Sequence, residues 1–168
     1  MDKDAVALLL NHGALPDLPN VMGVTPLMAA AGIGSGRGKV RSEGPLPGVD
    51  AQAYAIATID LLLKAGADIN ARITDTSSHT AIIARPSSMT DRQGQTALFG
   101  AVSNNWTKVA TYLVDHGARL DVKDDQGKTL VDGLTGLAGG RDTTEDRRDP
   151  APEELVKLIK GTAGNAGS

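Results

Sequence analysis

One pattern limits what this chain can fold into: a leucine-rich run that stops at a glycine, three times over. The copies read LLLNHGALPD (Leu8–Asp17), LLLKAGADIN (Leu61–Asn70) and YLVDHGARLD (Tyr112–Asp121). In each, the glycine lies three residues past the last apolar one: Leu10 to Gly13, Leu63 to Gly66, Val114 to Gly117. An amphipathic helix closed by a left-handed glycine explains the spacing, because glycine has no Cβ to clash in that conformation. A second signal follows, a glycine turn leading to threonine: GVTPLMAAA from Gly23, GQTALFGAV from Gly94 and GKTLVDGL from Gly127. Cap glycine and turn glycine are 10 residues apart at Gly13–Gly23 and again at Gly117–Gly127. Gly94 and Gly127, which bracket the one uninterrupted copy, are 33 apart. A fixed period of this size means stacked supersecondary units.

Composition agrees with such a stack. Apolar residues make up 40% of the 168, but aromatics only 2%. The core is therefore expected to be Ala, Leu, Ile and Val, which suits close helix contacts. A formal net charge of −3 provides no clustered cationic field for nucleic acid. With no cysteine, disulfides and thiolate metal sites are excluded. Apolar runs such as Ala5–Leu10 are too short to enter and cross a bilayer. No basic segment followed by an apolar stretch and a cleavage site marks a secretory signal, and the compartment is left open.

The 33-residue period, Gly-x-Thr-Pro-Leu at Gly23–Leu27 and Leu-Leu-Leu-x-x-Gly-Ala-Asp-x-Asn at Leu61–Asn70 resemble ankyrin repeats. The resemblance implies an all-α repeat solenoid of helix-turn-helix units joined by β-hairpin turns, here with two long insertions. Physical chemistry supports it locally. Thr25 suits a helix cap, and Pro26 suits the first turn, where its missing N–H costs nothing. Ala29, Ala30 and Ala31 make a slim inner helix; Val109, Ala110, Leu113 and Val114 fall on one stripe of an outer helix. Asn105 sits where a left-handed connector is needed. The histidine that normally follows Thr-Pro-Leu is replaced by Met28, Phe99 and Asp132, so the side-chain hydrogen bond it makes is expected to be absent. The last copy also lacks the proline and meets Gly133 and Gly136, which predicts a loose, degenerate repeat.

The domain is accordingly read as one array: a partial repeat at 4–19, a repeat at 20–72 carrying an insertion at 35–54, a finger insertion at 73–90, a repeat at 91–123, a degenerate repeat at 124–161 and a disordered tail at 162–168. The first insertion is rich in Gly and Pro and reads as an irregular loop. The second is rich in Thr and Ile around Ser77-Ser78 and reads as a lengthened β-hairpin. A short helix is expected from about Ala151 to Lys160, opened by Pro152, with Glu153 and Glu154 at its positive end. Because only the second helix of a repeat is recognisable at Asp4, the array is expected to be part of a longer one or truncated.

Catalytic and cofactor motifs fail on inspection. GIGSGRGKV (Gly32–Val40) has Ile33 where a phosphate loop needs glycine, and Val40 follows Lys39 in place of Ser or Thr. The dinucleotide pattern fails at Arg37, and a helix rather than a strand precedes the stretch. His12 and His116 share the position before the cap glycine and are read as helix-end hydrogen-bonding groups, His79 as a solvated residue. Glu145, Asp146 and Asp149 alternate with Arg147 and Arg148 as a solvated loop, while Asp68 and Asp121 are turn residues. No catalytic residue, cofactor site or metal site is expected.

The resemblance implies recognition of an unidentified protein partner, by a monomer or part of a longer chain, on the surface of hairpin tips and inner helices. Carried over by repeat position, that surface comprises Val21, Met22 and Val24; Arg92, Gln93, Gln95, Ser103 and Asn104; and Asp125, Gln126 and Lys128. Trp106, at the start of an outer helix, is a candidate anchor. A spacer or regulatory array within a multidomain protein is the alternative, and an enzyme the weakest one.

Overall fold

A computed structural model describes residues 2–33, 50–74, 92–134 and 151–163. Outside them lie the glycine-rich stretch from Gly34, the finger from 75 onward with His79, the polar run through Glu145, Asp146 and Asp149, and the tail from 164. Among the described residues are seven helices: α1 (Lys3–Asn11), α2 (Pro26–Ala30), α3 (Ala51–Lys64), α4 (Ala97–Ser103), α5 (Thr107–Asp115), α6 (Leu130–Leu134) and α7 (Glu153–Ala163). Extended pairing in the same residues is confined to one antiparallel bridge, Lys123 with Thr129.

The helices stack in two layers. In the inner layer α2 packs on α4 and α4 on α6; in the outer layer α1 packs on α3, α3 on α5 and α5 on α7. Each unit pairs an inner helix with the outer helix that follows it, α2 with α3, α4 with α5 and α6 with α7. The middle of this repeat solenoid is its densest part. Every residue of α4 from Ala97 to Val102 is buried, and Val109, Ala110 and Leu113 of α5 meet them from the outer layer. Full burial of a Leu or Phe side chain there contributes about 1.5–3 kcal/mol.

The local signals act as the residue types dictate. Thr25 Oγ1 accepts the Met28 N–H at 3.3 Å, and Met28 Sδ in turn receives the Thr25 N–H at 3.5 Å. The cap glycines Gly13, Gly66 and Gly117 have φ of +85°, +93° and +95°, and Asn105 is left-handed at +56°. His12 and His116 donate from Nδ1 to the carbonyls of Leu8 and Tyr112, at 2.8 and 2.7 Å, closing the last turns of α1 and α5.

Four expectations need correction. Residues 51–54 are not loop: the Asp50 carboxylate accepts the Gln52 and Ala53 N–H groups, so α3 already begins at Ala51. Ile73 is not the start of a projecting insertion but core, buried, with its main chain bonded both ways to Gly94 and Gln95. The last helix starts at Glu153 and runs to Ala163, with the Pro152 carbonyl receiving the Val156 N–H from outside its first turn. Residues 162 and 163 are therefore helical rather than tail. A side-chain hydrogen bond expected to be lost at the histidine position is made in two units: Met28 Sδ receives the Thr25 N–H, and Asp132 Oδ2 accepts the Thr129 N–H at 2.6 Å and its hydroxyl at 2.8 Å.

Candidate functional site

The hairpin tips are built alike. Asn20 Oδ1 accepts the N–H groups of Met22 and Val24, and Asp124 Oδ1 accepts those of Gln126 and Lys128. Asn20 and Asp124 lie three residues before Gly23 and Gly127, so the same short polar side chain ties the same turn twice. Closing bonds complete each tip: Asn20 N–H to Val24 O at 3.0 Å, and Asp124 N–H to Lys128 O at 2.9 Å. The second and third tips are also fastened to each other. The Asp125 N–H donates to Gln93 O at 2.9 Å, and Arg72 Nη2 reaches Lys123 O at 2.9 Å and Asp125 Oδ1 at 3.1 Å. Beneath them the buried Asp124 receives Gln95 Nε2 at 3.3 Å.

This geometry sorts the predicted residues. Val24 and Gln95 are corrected out of the surface: both are buried, Val24 in the core beneath its tip and Gln95 turned inward to Asp124. Met22 and Trp106 are half-buried and pack against the core, Trp106 at the N-cap of α5. Val21, Asn104, Asp125 and Gln126 are exposed; Arg92, Gln93, Ser103 and Lys128 are half-exposed. Asn104 also has a structural role, because its Nδ2 donates to Gly32 O and Gly100 O and so bridges two units. Arg72 was missed by sequence reasoning. It stands just before the finger, at a repeat position held by Pro19 and Lys123 in the other copies and outside the turn and inner-helix positions, and only the fold brings it to Asp125.

A second network lies on the outer layer. Asp60 accepts from Lys64 Nζ at 2.7 Å and from the Tyr112 hydroxyl at 3.1 Å, and the Tyr112 ring stacks on His116 at 4.0 Å. The Lys64 bond, ahead of the Tyr112 bond, holds the Asp60 carboxyl below its ordinary range, while burial and Asp60 raise the phenol of Tyr112. Lys108 likewise lowers Asp50, and Arg119 lowers Asp121 while its own value is raised. The shifts of Asp50, Asp60, Arg119 and Asp121 come first from ordinary surface ion-pair partners, and that of Tyr112 from burial. Among the described residues, no three His, Asp or Glu side chains converge to hold a metal ion, and no helix is long and apolar enough to cross a membrane.

Comparison with known proteins gives three similarities. Residues 93–125 match the family model described as ankyrin repeat. Human protein phosphatase 1 regulatory subunit 27 is 32% identical over 104 residues, which is 62% of this chain and 47% of that protein. The chain thus spans about half the length of that curated relative. The crystal structure of the ankyrin repeat domain of Bcl-3, a unique member of the IkappaB protein family, aligns over 95% of this chain and 64% of that one, with TM-score 0.43 and 22% identity. Ankyrin repeats are in general protein–protein interaction modules.

Proposed function

We propose that the chain is a non-catalytic recognition module that captures a protein partner on its hairpin tips and the adjoining ends of its inner helices. The observation that carries this reading is rigid presentation. The side chains of Val21, Asp125 and Gln126 are exposed, while the backbone beneath them is held by the Asn20 and Asp124 turns and by the cross-tip bonds of Arg72 and Asp125. Ordering such a surface costs little on binding, because it is ordered already. Arg92, Gln93, Ser103, Asn104 and Lys128 extend it toward the inner helices. The relative that is named a regulatory subunit supports a partner-directed role over a catalytic one. Ile73 and Arg92, the described residues that flank the insertion, lie beside the second tip, and the insertion is included in the proposal as a further source of contacts.

The test is affinity capture with three variants. Asp125→Lys with Gln126→Glu alters the tips, deletion of 75–90 removes the insertion while keeping Ile73, and Thr111→Glu changes an exposed outer-layer position as control. Partners retained by wild type and the control and lost by the tip variant support the reading. Equal retention by all of them removes the tips from the site.

A further inference from the structure

The second and third tips meet at one arginine. Arg72 Nη2 donates to Lys123 O at 2.9 Å and to Asp125 Oδ1 at 3.1 Å, and the arginine side chain is still 45% exposed. Among the described residues both bonds leave from Nη2, which leaves the guanidinium's other donors, on Nη1 and Nε, for a further acceptor. Gly94 makes room for the pair: a Cβ there would stand 2.5 Å from Arg72 Nη2 and 2.8 Å from the Asp125 nitrogen. Lys123 is bridged to Thr129, so the carbonyl that holds the guanidinium belongs to a closed turn. The charges around it are unequal. Residues 71–74, 92–96 and 123–129 carry four cations, Arg72, Arg92, Lys123 and Lys128, against two carboxylates, Asp124 and Asp125, in a chain of formal net charge −3. Asp124 is buried and bonded to its own turn and to Gln95, and Asp125 is occupied by Arg72.

We propose, on the tip reading above, that Arg72 is a carboxylate-binding residue and that the protein partner presents an acidic segment to it. A guanidinium already held by a carbonyl and a carboxylate loses little freedom on taking another anion, and charge-assisted bonds are stronger than neutral ones. The surplus of cations steers an acidic segment to this edge and repels a basic one. It is too small for nucleic acid, whose binding draws on many phosphate contacts.

Titration of the isotope-labelled chain with an acetylated, amidated glutamate–glycine peptide tests this, read on the Arg72 Nε–H resonance and on the backbone amides of the tips. Binding is expected that weakens several-fold with added salt and is lost in Arg72→Gln. Asp125→Asn removes the competing carboxylate and is expected to tighten binding several-fold, a gain that loosened tips would not produce. Lys160→Gln makes the same charge change as Arg72→Gln at an exposed position of α7 and is expected to bind as wild type. A glutamine–glycine peptide that binds equally, an Arg72→Gln chain that binds undiminished, or an oligothymidylate that binds as tightly as the glutamate peptide overturns the proposal. A chain that binds the peptide only with Asp75→Asn and Asp91→Asn in place also overturns it, because the insertion then holds Arg72. Partner capture on the tips without glutamate binding at Arg72 sinks this proposal alone. Glutamate binding at Arg72 with capture indifferent to the tips sinks the recognition reading and leaves Arg72 a carboxylate site.

Discussion

Leu9 in α1 and Leu113 in α5 occupy the same position of the repeat, four residues before the cap glycine, and their surroundings are opposite. Leu9 is 60% exposed, Leu113 is fully buried, and Leu62 at the equivalent place in α3 is 2% exposed. The two buried leucines lie under the inner helices α2 and α4; among the described residues no inner helix lies over α1. Burial in this fold therefore follows from stacking and not from the repeat motif itself, since the motif is the same in all three. The largest expected effect follows directly. Leu113→Ala should destabilise by about 2–5 kcal/mol, and Leu62→Ala by a similar amount. Leu9→Ala should stay within about 0.5 kcal/mol. Urea denaturation of the three variants checks this, and a large loss at Leu9 would show a cover over α1 that the fold described here does not contain.

Close approach between inner helices separates the units in a second way. A Cβ at Gly100 would lie 2.7 Å from Ile33 Cγ1, 2.8 Å from Ala31 O and 2.9 Å from Ile33 N, two of them backbone atoms of the preceding unit. At Gly133, the equivalent residue of the last unit, the nearest atom is Val102 Cγ1 at 3.2 Å, which belongs to a side chain. Gly100→Ala should cost about 1–3 kcal/mol because backbone cannot yield, and Gly133→Ala a fraction of that. The difference in thermal midpoint between the two measures how much tighter the middle joint is than the last one.

What the sequence made legible was whatever a residue decides within one turn of chain. Gly13, Gly66, Gly117 and Asn105 take left-handed conformations, Thr25 caps, and His12 and His116 close helix ends, because each acts on neighbours within about four residues. The period then ordered the units. What escaped was decided across units. Val24 and Gln95 sit at tip positions, yet Gln95 is drawn inward by Asp124, 29 residues away, and Val24 closes over the core. Arg72 meets Asp125 at a separation of 53 residues. Ile73 was assigned to an insertion by counting, and its pairing with Gly94 and Gln95 restores it to the repeat. The candidate surface was thus located by the motif, but its membership was set by packing.

The two turn-to-turn joints allow a finer comparison. Asn70 clamps the next unit with both ends of its carboxamide: Oδ1 accepts the Arg119 N–H at 2.9 Å and Nδ2 donates to Gly117 O at 3.1 Å. Asp17, one unit earlier, accepts the Asp68 N–H at 2.9 Å through Oδ2, but its Oδ1 is buried and finds no hydrogen-bond partner among the described residues. The missing half is a donor. Asp17→Asn should supply it and stabilise by about 0.5–1 kcal/mol, whereas Asn70→Asp should cost about 1 kcal/mol. Opposite signs in the two thermal midpoints confirm that the joints are equivalent; equal signs break the equivalence.

The smallest effect concerns Asp132, which stands in the last unit where Met28 and Phe99 stand in the earlier two. Thr129, Leu130, Val131 and Asp132 form the start of α6 in the manner of a capping box, the N3 carboxylate reaching back to the N–H of the capping threonine. That N–H, followed by the Thr129 hydroxyl, lowers the Asp132 carboxyl from its ordinary value of 3.8. A lowered folded-state value means that the ionised form adds stability that is complete above 3.8 and fades as pH falls through the folded value. Asp132→Ala should therefore cost about 0.5–1 kcal/mol at neutral pH, and the gap between variant and wild type should narrow as the solution is acidified below 3.8. Met28→Ala, where no ionisable group is involved, should leave a gap that does not close with acid from this cause. Urea midpoints for both variants at neutral and acidic pH distinguish the two caps; a pH-independent gap at Asp132 would mean that the threonine is held by packing and not by the carboxylate.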